Sequence, residues 1–122
     1  MIVLTTEVRD GVTVVCLDGV FRADESPALL AQQIEQLDPG GPLLVDLSMA
    51  APIPGQAVTE FVARLEAGAR RSATVLVHDD MEARRVLRAI SHRLPVVPDV
   101  DQAVGGRFPA ALAPRRAASP VG

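Results

Sequence analysis

The sequence predicts a single α/β domain whose mixed, mostly parallel sheet is built from βα units that follow an N-terminal hairpin. Two β-type runs flank Asp10-Gly11, a dipeptide typical of hairpin turns. Short apolar strands then alternate with amphipathic helices, which is the pattern of parallel βα units. A chain of 122 residues, 48% of them apolar, suits one domain with one modest core.

The first part of the chain contains the hairpin and one helix. Strands are predicted near 3–8 and 12–17, and the second has apolar side chains on both faces, which is typical of a central strand. Ser26-Pro27 predicts a helix start, because serine can cap free backbone N–H groups and proline fits the first helical position. Apolar residues at helical spacing place this helix near 27–37.

The second part of the chain alternates strictly between strands and helices. Asp79 with Glu82 predicts a capping box at the start of one helix, and Asp99 with Gln102 predicts a similar cap for the last. The remaining elements are predicted at 43–47 (strand), 56–70 (helix), 73–77 (strand), 80–91 (helix), 95–98 (edge strand) and from Asp99 (short helix). The order is therefore β-β-α-β-α-β-α-β-α.

Composition sets the domain limits and excludes several classes of function. Residues 1–106 are expected to form the domain and residues 107–122 a disordered tail, since Pro, Ala, Arg and Gly dominate there without periodicity. No apolar run is long enough for membrane insertion. One cysteine and no signal-peptide pattern suggest a cytoplasmic protein. A net charge of −3 argues against nucleic acid as a partner.

The segment from Asp46 to Val58 resembles the central motif of the STAS family, the anti-sigma-factor antagonists. Members of that family have a buried strand ending in Asp-Leu-Ser, then a short loop and an apolar residue, then Asp-Ser-Ser/Thr-Gly-Leu opening a helix. Here Asp46-Leu47-Ser48, Ile53 and Val58 fit this pattern. The resemblance covers roughly residues 3–104 and implies a STAS-like fold.

The reactive positions of the motif differ in this chain. In the family a partner kinase phosphorylates the second hydroxyl of the signature. The four signature positions here hold Pro54, Gly55, Gln56 and Ala57, with Pro54 at the aspartate and Gln56 at the phosphoacceptor. Because no residue between Ile53 and Val58 carries a hydroxyl, we expect no phosphorylation in that segment. Ser48 and Thr59 are the nearest hydroxyls, and both remain open as acceptors, although a turn residue and a surface helix residue are the favoured interpretations.

The resemblance implies a non-enzymatic module for protein–protein interaction in bacterial signalling and transcription regulation. Its partner would be an anti-sigma factor or a kinase of the ATPase-fold type, and no cofactor, metal or catalytic residue is expected. The implied partner-binding residues are Pro54, Gly55, Gln56, Ala57 and Thr59, with Gly19, Arg22 and Asp24 beside them.

Three alternatives remain open, two from the residues themselves and one, a subunit role, from the resemblance. The chain could bind a small ligand near His78, Asp79 and 48–56, because sites in α/β proteins often lie at the carboxyl edge of the sheet. It could be the small STAS subunit of a larger assembly such as a transporter. The basic residues Arg84, Arg85 and Arg88 form either a solvated helix face or a docking patch. Cys16 is expected to be buried and inert.

Overall fold

The computed structural model describes residues 2–22, 26–37, 42–53, 55–68 and 74–104. These residues form five strands and four helices in the predicted order. The elements are β1 Ile2–Arg9, β2 Val12–Val20, α1 Pro27–Glu35, β3 Leu43–Ala51, α2 Gln56–Ala67, β4 Thr74–Val77, α3 Met81–Ile90, β5 Val96–Val97 and α4 Val100–Gln102. The predicted domain end at 106 and the predicted tail, 107–122, lie outside the described residues. Among those residues, no helix is long and apolar enough to cross a membrane.

The sheet is mixed and mostly parallel, as predicted. Its strand order is β1-β2-β3-β4-β5, with β1 antiparallel to β2 and the other neighbours parallel. Asp10 and Gly11 join the hairpin with φ angles of 51° and 81°, the positive values that a tight hairpin turn requires. Because consecutive parallel strands are neighbours, right-handed crossovers bring α1, α2 and α3 to one face of the sheet.

The sheet is buried on both faces, but unequally. The main core lies between the sheet and α1–α3, where Val58, Phe61, Val62 and Leu65 of α2 are at most 1% exposed. A smaller second core lies on the other face, where α4 covers apolar side chains of the three central strands. Strand β2 contributes to both cores, which confirms its prediction as a central strand.

Strands β2 and β3 run further than the sequence predicted, to Val20 and Ala51. They extend together, since Asp18, Gly19 and Val20 pair with Met49, Ala50 and Ala51. The register shifts between Cys16 and Asp18, so that β3 carries one extra residue there. Each extension satisfies the backbone groups of the other, which short-range patterns in the sequence do not reveal.

Two helix starts agree with their predicted caps. The Ser26 hydroxyl accepts a hydrogen bond from the Leu29 amide at 3.2 Å, and Pro27 occupies the first turn of α1. The Asp99 carboxylate accepts from the Gln102 amide at 2.7 Å and caps α4. Both caps supply an acceptor to backbone N–H groups that have no partner inside the helix.

The cap predicted for α3 is wrong by one residue. Asp80, and not Asp79, is the N-cap, and its carboxylate accepts from the Ala83 amide at 2.8 Å. Asp79 is held elsewhere, because its amide donates to the Ser48 hydroxyl at 3.1 Å. This tertiary contact with β3 engages the Asp79 amide outside the helix, and the helix begins after Asp80, whose backbone is extended.

Candidate partner-binding surface

The start of α2 lies at the carboxyl edge of the sheet, after β3. Gly55 is the N-cap residue, with extended backbone angles and no side-chain capping bond. Gln56 is exposed, whereas Ala57 is only 9% exposed and packs into the main core. Pro54 lies outside the described residues. The residues here that a partner can reach are therefore Gly55, Gln56 and Thr59, which we call the α2 surface.

Backbone and side-chain contacts hold the α2 surface in a fixed conformation. The Gly55 carbonyl accepts from the Thr59 amide at 3.0 Å and from the Thr59 hydroxyl at 2.8 Å. A Cβ atom at Gly55 would lie 3.2 Å from both the carbonyl oxygen and Cγ of Pro52, which is a tight approach. The Thr59 hydroxyl is thus satisfied inside its own helix, and glycine suits the position before Gln56.

The α2 surface is uncharged and favours negative groups. The first turn of α2 contains no acidic side chain. Helix N-termini present backbone N–H groups and the positive end of the helix dipole, and both attract carboxylates or phosphates. At Gln56 the chain places a neutral amide, which can donate and accept hydrogen bonds.

The segment after β2 adjoins the segment that leads into α2. The Phe21 amide donates to the Ala51 carbonyl at 2.6 Å, and the Phe21 ring packs on Phe61 with ring centroids 5.6 Å apart. Gly19, with a φ of 133°, adopts a conformation that suits glycine. Arg22, which follows Phe21, is exposed. The structure therefore brings Gly19 and Arg22 to the same sheet edge as the α2 surface, while Asp24 lies outside the described residues.

Ser48 lies within β3, and not in a turn as the sequence favoured, and it contacts the residue before the N-cap of α3. Its amide donates to the Asp46 carboxylate at 2.9 Å, and its hydroxyl accepts from the Asp79 amide at 3.1 Å. The side chain is half-buried. These bonds tie the end of β3 to the loop after β4, so that Ser48 has a structural role.

His78, the strongest polar candidate for a ligand site, also holds the fold together. It is 7% exposed, and its Nδ1 accepts from the Asp80 amide at 3.0 Å. Its carbonyl accepts from the Arg84 guanidinium at 2.9 Å. His78 thus joins the end of β4 to the start of α3. Among the described residues no group of three or more His, Cys, Asp or Glu could hold a metal.

The three arginines of α3 have different environments. Arg84 binds the His78 carbonyl, as above, and the Arg88 guanidinium donates to the Val96 carbonyl at 3.0 Å. Arg85 is exposed and pairs with Glu82 at 3.4 Å. Two of the three arginines therefore attach α3 to neighbouring strands, which weakens the interpretation of this face as a docking patch.

A groove of about 410 Å³ lies on the face of the sheet that carries α4. Five carboxylates line it, and we call it the acidic groove. They belong to Glu7, Asp46, Asp79, Asp99 and Asp101. Cys16 is less buried than predicted: its side chain packs against the second core but also lines the groove and is only half-buried. On this face of the sheet, α4 covers β2 at Val12 and Val14 but covers Cys16 only in part.

A larger hollow of about 580 Å³ lies between α1 and α2, away from the α2 surface. Glu35 and Arg64 are among the residues that line it. One Glu35 carboxylate oxygen is buried there without a hydrogen-bond partner among the described residues, and it lies under Gly68. The hollow is open to solvent and contains no residue of the predicted partner-binding set.

Comparison with known proteins supports the resemblance seen in the sequence. The chain is similar in structure to an anti-sigma factor antagonist from Mycobacterium paratuberculosis, with a TM-score of 0.65 and 25% identity over 86% of this chain and 92% of that one. No family model and no curated protein matches the chain. The sheet order, the helices and this similarity agree, and the chain is a STAS-like domain with the fold of the anti-sigma-factor antagonists.

Proposed function

We propose that this chain is a non-enzymatic, cytoplasmic regulatory module of bacteria that binds a protein partner through the α2 surface. The observation that carries the proposal is the structural similarity, over nearly the whole domain, to an anti-sigma factor antagonist. The partner is an anti-sigma factor or a kinase of the ATPase-fold type. Gly19 and Arg22 lie beside the α2 surface and form the second part of the interface.

Binding by this module is not switched by phosphate at the start of α2. Gln56 has no hydroxyl, and the Thr59 hydroxyl is engaged with the Gly55 carbonyl. The Ser48 hydroxyl is half-buried in the contact between β3 and Asp79. Because the start of α2 gains no phosphate, the charge of the α2 surface does not change. This supports binding that is always on and is not regulated by phosphorylation.

The proposal is tested by introducing a negative charge at the centre of the α2 surface and measuring the affinity for the partner. Gln56→Asp mimics the negative charge of a phosphorylated acceptor, and a carboxylate at a helix N-terminus is tolerated or favourable for folding. An unpaired charge buried in an interface is costly, so affinity for a purified anti-sigma factor of the ATPase-fold type should fall by about tenfold or more, roughly 1.4 kcal/mol. Isothermal titration calorimetry measures the affinity.

The matched control is Gln33→Asp, the same substitution at an exposed position of α1. It should leave affinity unchanged, and the melting temperatures of both variants establish that they are folded. Unchanged affinity in a folded Gln56→Asp protein would place the interface elsewhere, with the exposed Arg85 side of α3 as the next surface to substitute.

The acidic groove supports a second candidate function, the binding of a small ligand. Its five carboxylates favour a cationic ligand and disfavour nucleotides or other anions. A ligand that binds the folded state raises its melting temperature by mass action. A thermal-shift screen with polyamines and nucleotides separates the two functions, because stabilisation by polyamines that is lost in Asp46→Asn would support ligand binding.

A further inference from the structure

The face of the sheet that carries α4 is covered over only part of its area. Near α4, Val12 and Val14 of β2 are at most 2% exposed. Towards the other end of the same strand, Cys16 is only half-buried. Two residues further on, Asp18 pairs with Val3 of β1, which is 54% exposed, and with Met49 of β3, which is 67% exposed. The described part of the chain therefore leaves Val3 and Met49 more than half exposed and covers Cys16 only in part.

The uncovered area is also strongly negative. The acidic groove crosses it, and Arg9 is the one basic side chain among the described residues that line the groove. Arg9 is already paired, with Asp101 through a short contact and with Glu7 at 3.6 Å. The carboxylates of Asp46, Asp79 and Asp99 therefore lack a cation among the described residues that line the groove.

The chain continues from the rim of this groove with the opposite charge. Asp99 and Asp101, at the start of α4, line the groove. Residues 105–122 follow, and they contain three arginines and no acidic residue, whereas all fifteen acidic residues of the chain precede residue 105. An extended chain spans about 3.4 Å per residue, so from Val104 the chain can reach roughly 10 Å by Arg107 and roughly 40 Å by Arg115.

We propose that residues 105–122 fold back and dock on the uncovered area of the sheet. Arg107, Arg115 and Arg116 pair with the carboxylates of the acidic groove, and Phe108 and Leu112 cover its exposed apolar side chains. Arginine suits this role because its planar guanidinium binds carboxylates through two parallel hydrogen bonds. The proposal replaces the expectation that 107–122 is simply disordered.

The charge of the groove favours this segment over a second copy of the domain. Two copies that met through this face would place one set of carboxylates against another, which is repulsive. Residues 105–122 meet no such repulsion. They are also covalently attached at the rim, and attachment through a short linker corresponds to an effective concentration in the millimolar range.

The test uses amide NMR spectra of the full chain. In Arg115→Glu/Arg116→Glu, the amide signals of Glu7, Cys16, Asp46 and Met49 should shift, because the segment is repelled from the groove. Sodium chloride at about 0.5 M should shift the same signals in the unsubstituted chain, since salt screens exposed ion pairs. The signals of core residues such as Phe61 and Leu76 in the same spectrum report whether the domain remains folded.

The control is Arg85→Glu/Arg93→Glu, an equal charge change at two exposed positions of α3 and the loop after it. It should shift signals around α3 and leave those of the groove in place. Groove signals that stay unchanged in Arg115→Glu/Arg116→Glu would overturn the proposal. Groove signals in the unsubstituted chain that move with protein concentration would also overturn it, because they would assign the groove to a second copy.

Discussion

Single polar residues that resemble parts of an active site serve the fold in this protein. Ser48, His78 and Asp80 lie at the carboxyl edge of the sheet, where α/β proteins often bind ligands. Each is engaged in a backbone contact that joins β3, β4 and α3. The residue types alone suggested a ligand or catalytic site. Their hydrogen-bond partners show that these residues hold the fold together.

Cys16 provides the residue-scale prediction. Partial burial raises the pKa of its thiol, and the negative charges of Asp46 and Glu7 raise it further. Asp46→Asn removes one of these charges and keeps an oxygen for the Ser48 amide, so the thiol pKa should fall. More thiolate is then present at pH 8, and alkylation by iodoacetamide should be faster by roughly threefold, since the thiolate is the nucleophile.

The rate is followed by mass spectrometry from pH 7 to 10, and Cys16 is the single cysteine that can react. Glu82→Gln, at an exposed site on α3, is the control and should leave the profile unchanged. A profile for Asp46→Asn that moves to higher pH would contradict the assigned role of the carboxylate.

At the scale of elements, helix starts depend on contacts with other elements. The sequence alone offered two adjacent aspartates before α3, and the spacing to Glu82 favoured Asp79. The contact between the Asp79 amide and Ser48 of β3 shifts the cap to Asp80. Caps without such a neighbour, at Ser26 and Asp99, lie where the sequence placed them.

The two aspartates give a matched pair for measuring the cap. Asp80→Ala should lower the free energy of unfolding by about 1 kcal/mol, because the Ala83 amide loses its acceptor. Asp79→Ala should change it by less than about 0.5 kcal/mol, since the bond to Ser48 uses the backbone amide. Urea unfolding followed by circular dichroism measures both. A larger loss for Asp79→Ala would restore the capping box predicted from the sequence.

Across the whole molecule, Phe61 connects the main core to the candidate surface. Its side chain is fully buried between α2 and the sheet, and its ring contacts Phe21 after β2. The same contact holds the Gly19–Arg22 side of the surface against the start of α2. Stability and the geometry of the surface therefore depend on one side chain.

Phe61→Ala should cost about 3–5 kcal/mol through lost burial and the cavity it leaves. A domain of this size is stable by about 5–15 kcal/mol in total, so the variant should be marginally folded. Phe61→Leu keeps most of the volume and should cost less, while Val8→Ala, at a site 70% exposed, should have little effect. Equal losses for Phe61→Ala and Val8→Ala would contradict the central position of Phe61.

The sequence placed the residues of the α2 surface at the start of a helix. The positions of Gly55, Gln56 and Thr59 follow from the strand end, the apolar Val58 and the helix that it opens. The burial of Ala57 was not evident, because an alanine at a helix start fits either face. The acidic groove was missed, since its carboxylates come from distant parts of the chain, among them Glu7, Asp46 and Asp101.

The sequence by itself determined the order of the elements, the Asp10-Gly11 hairpin and the absence of a hydroxyl between Ile53 and Val58. These depend on residue identity or on contacts within a few positions, which periodicity and turn chemistry record. Tertiary structure decided the joint extension of β2 and β3, the shift of the α3 cap to Asp80 and the partial exposure of Cys16. Each of these depends on groups that are distant in sequence and meet only when the parallel strands pair.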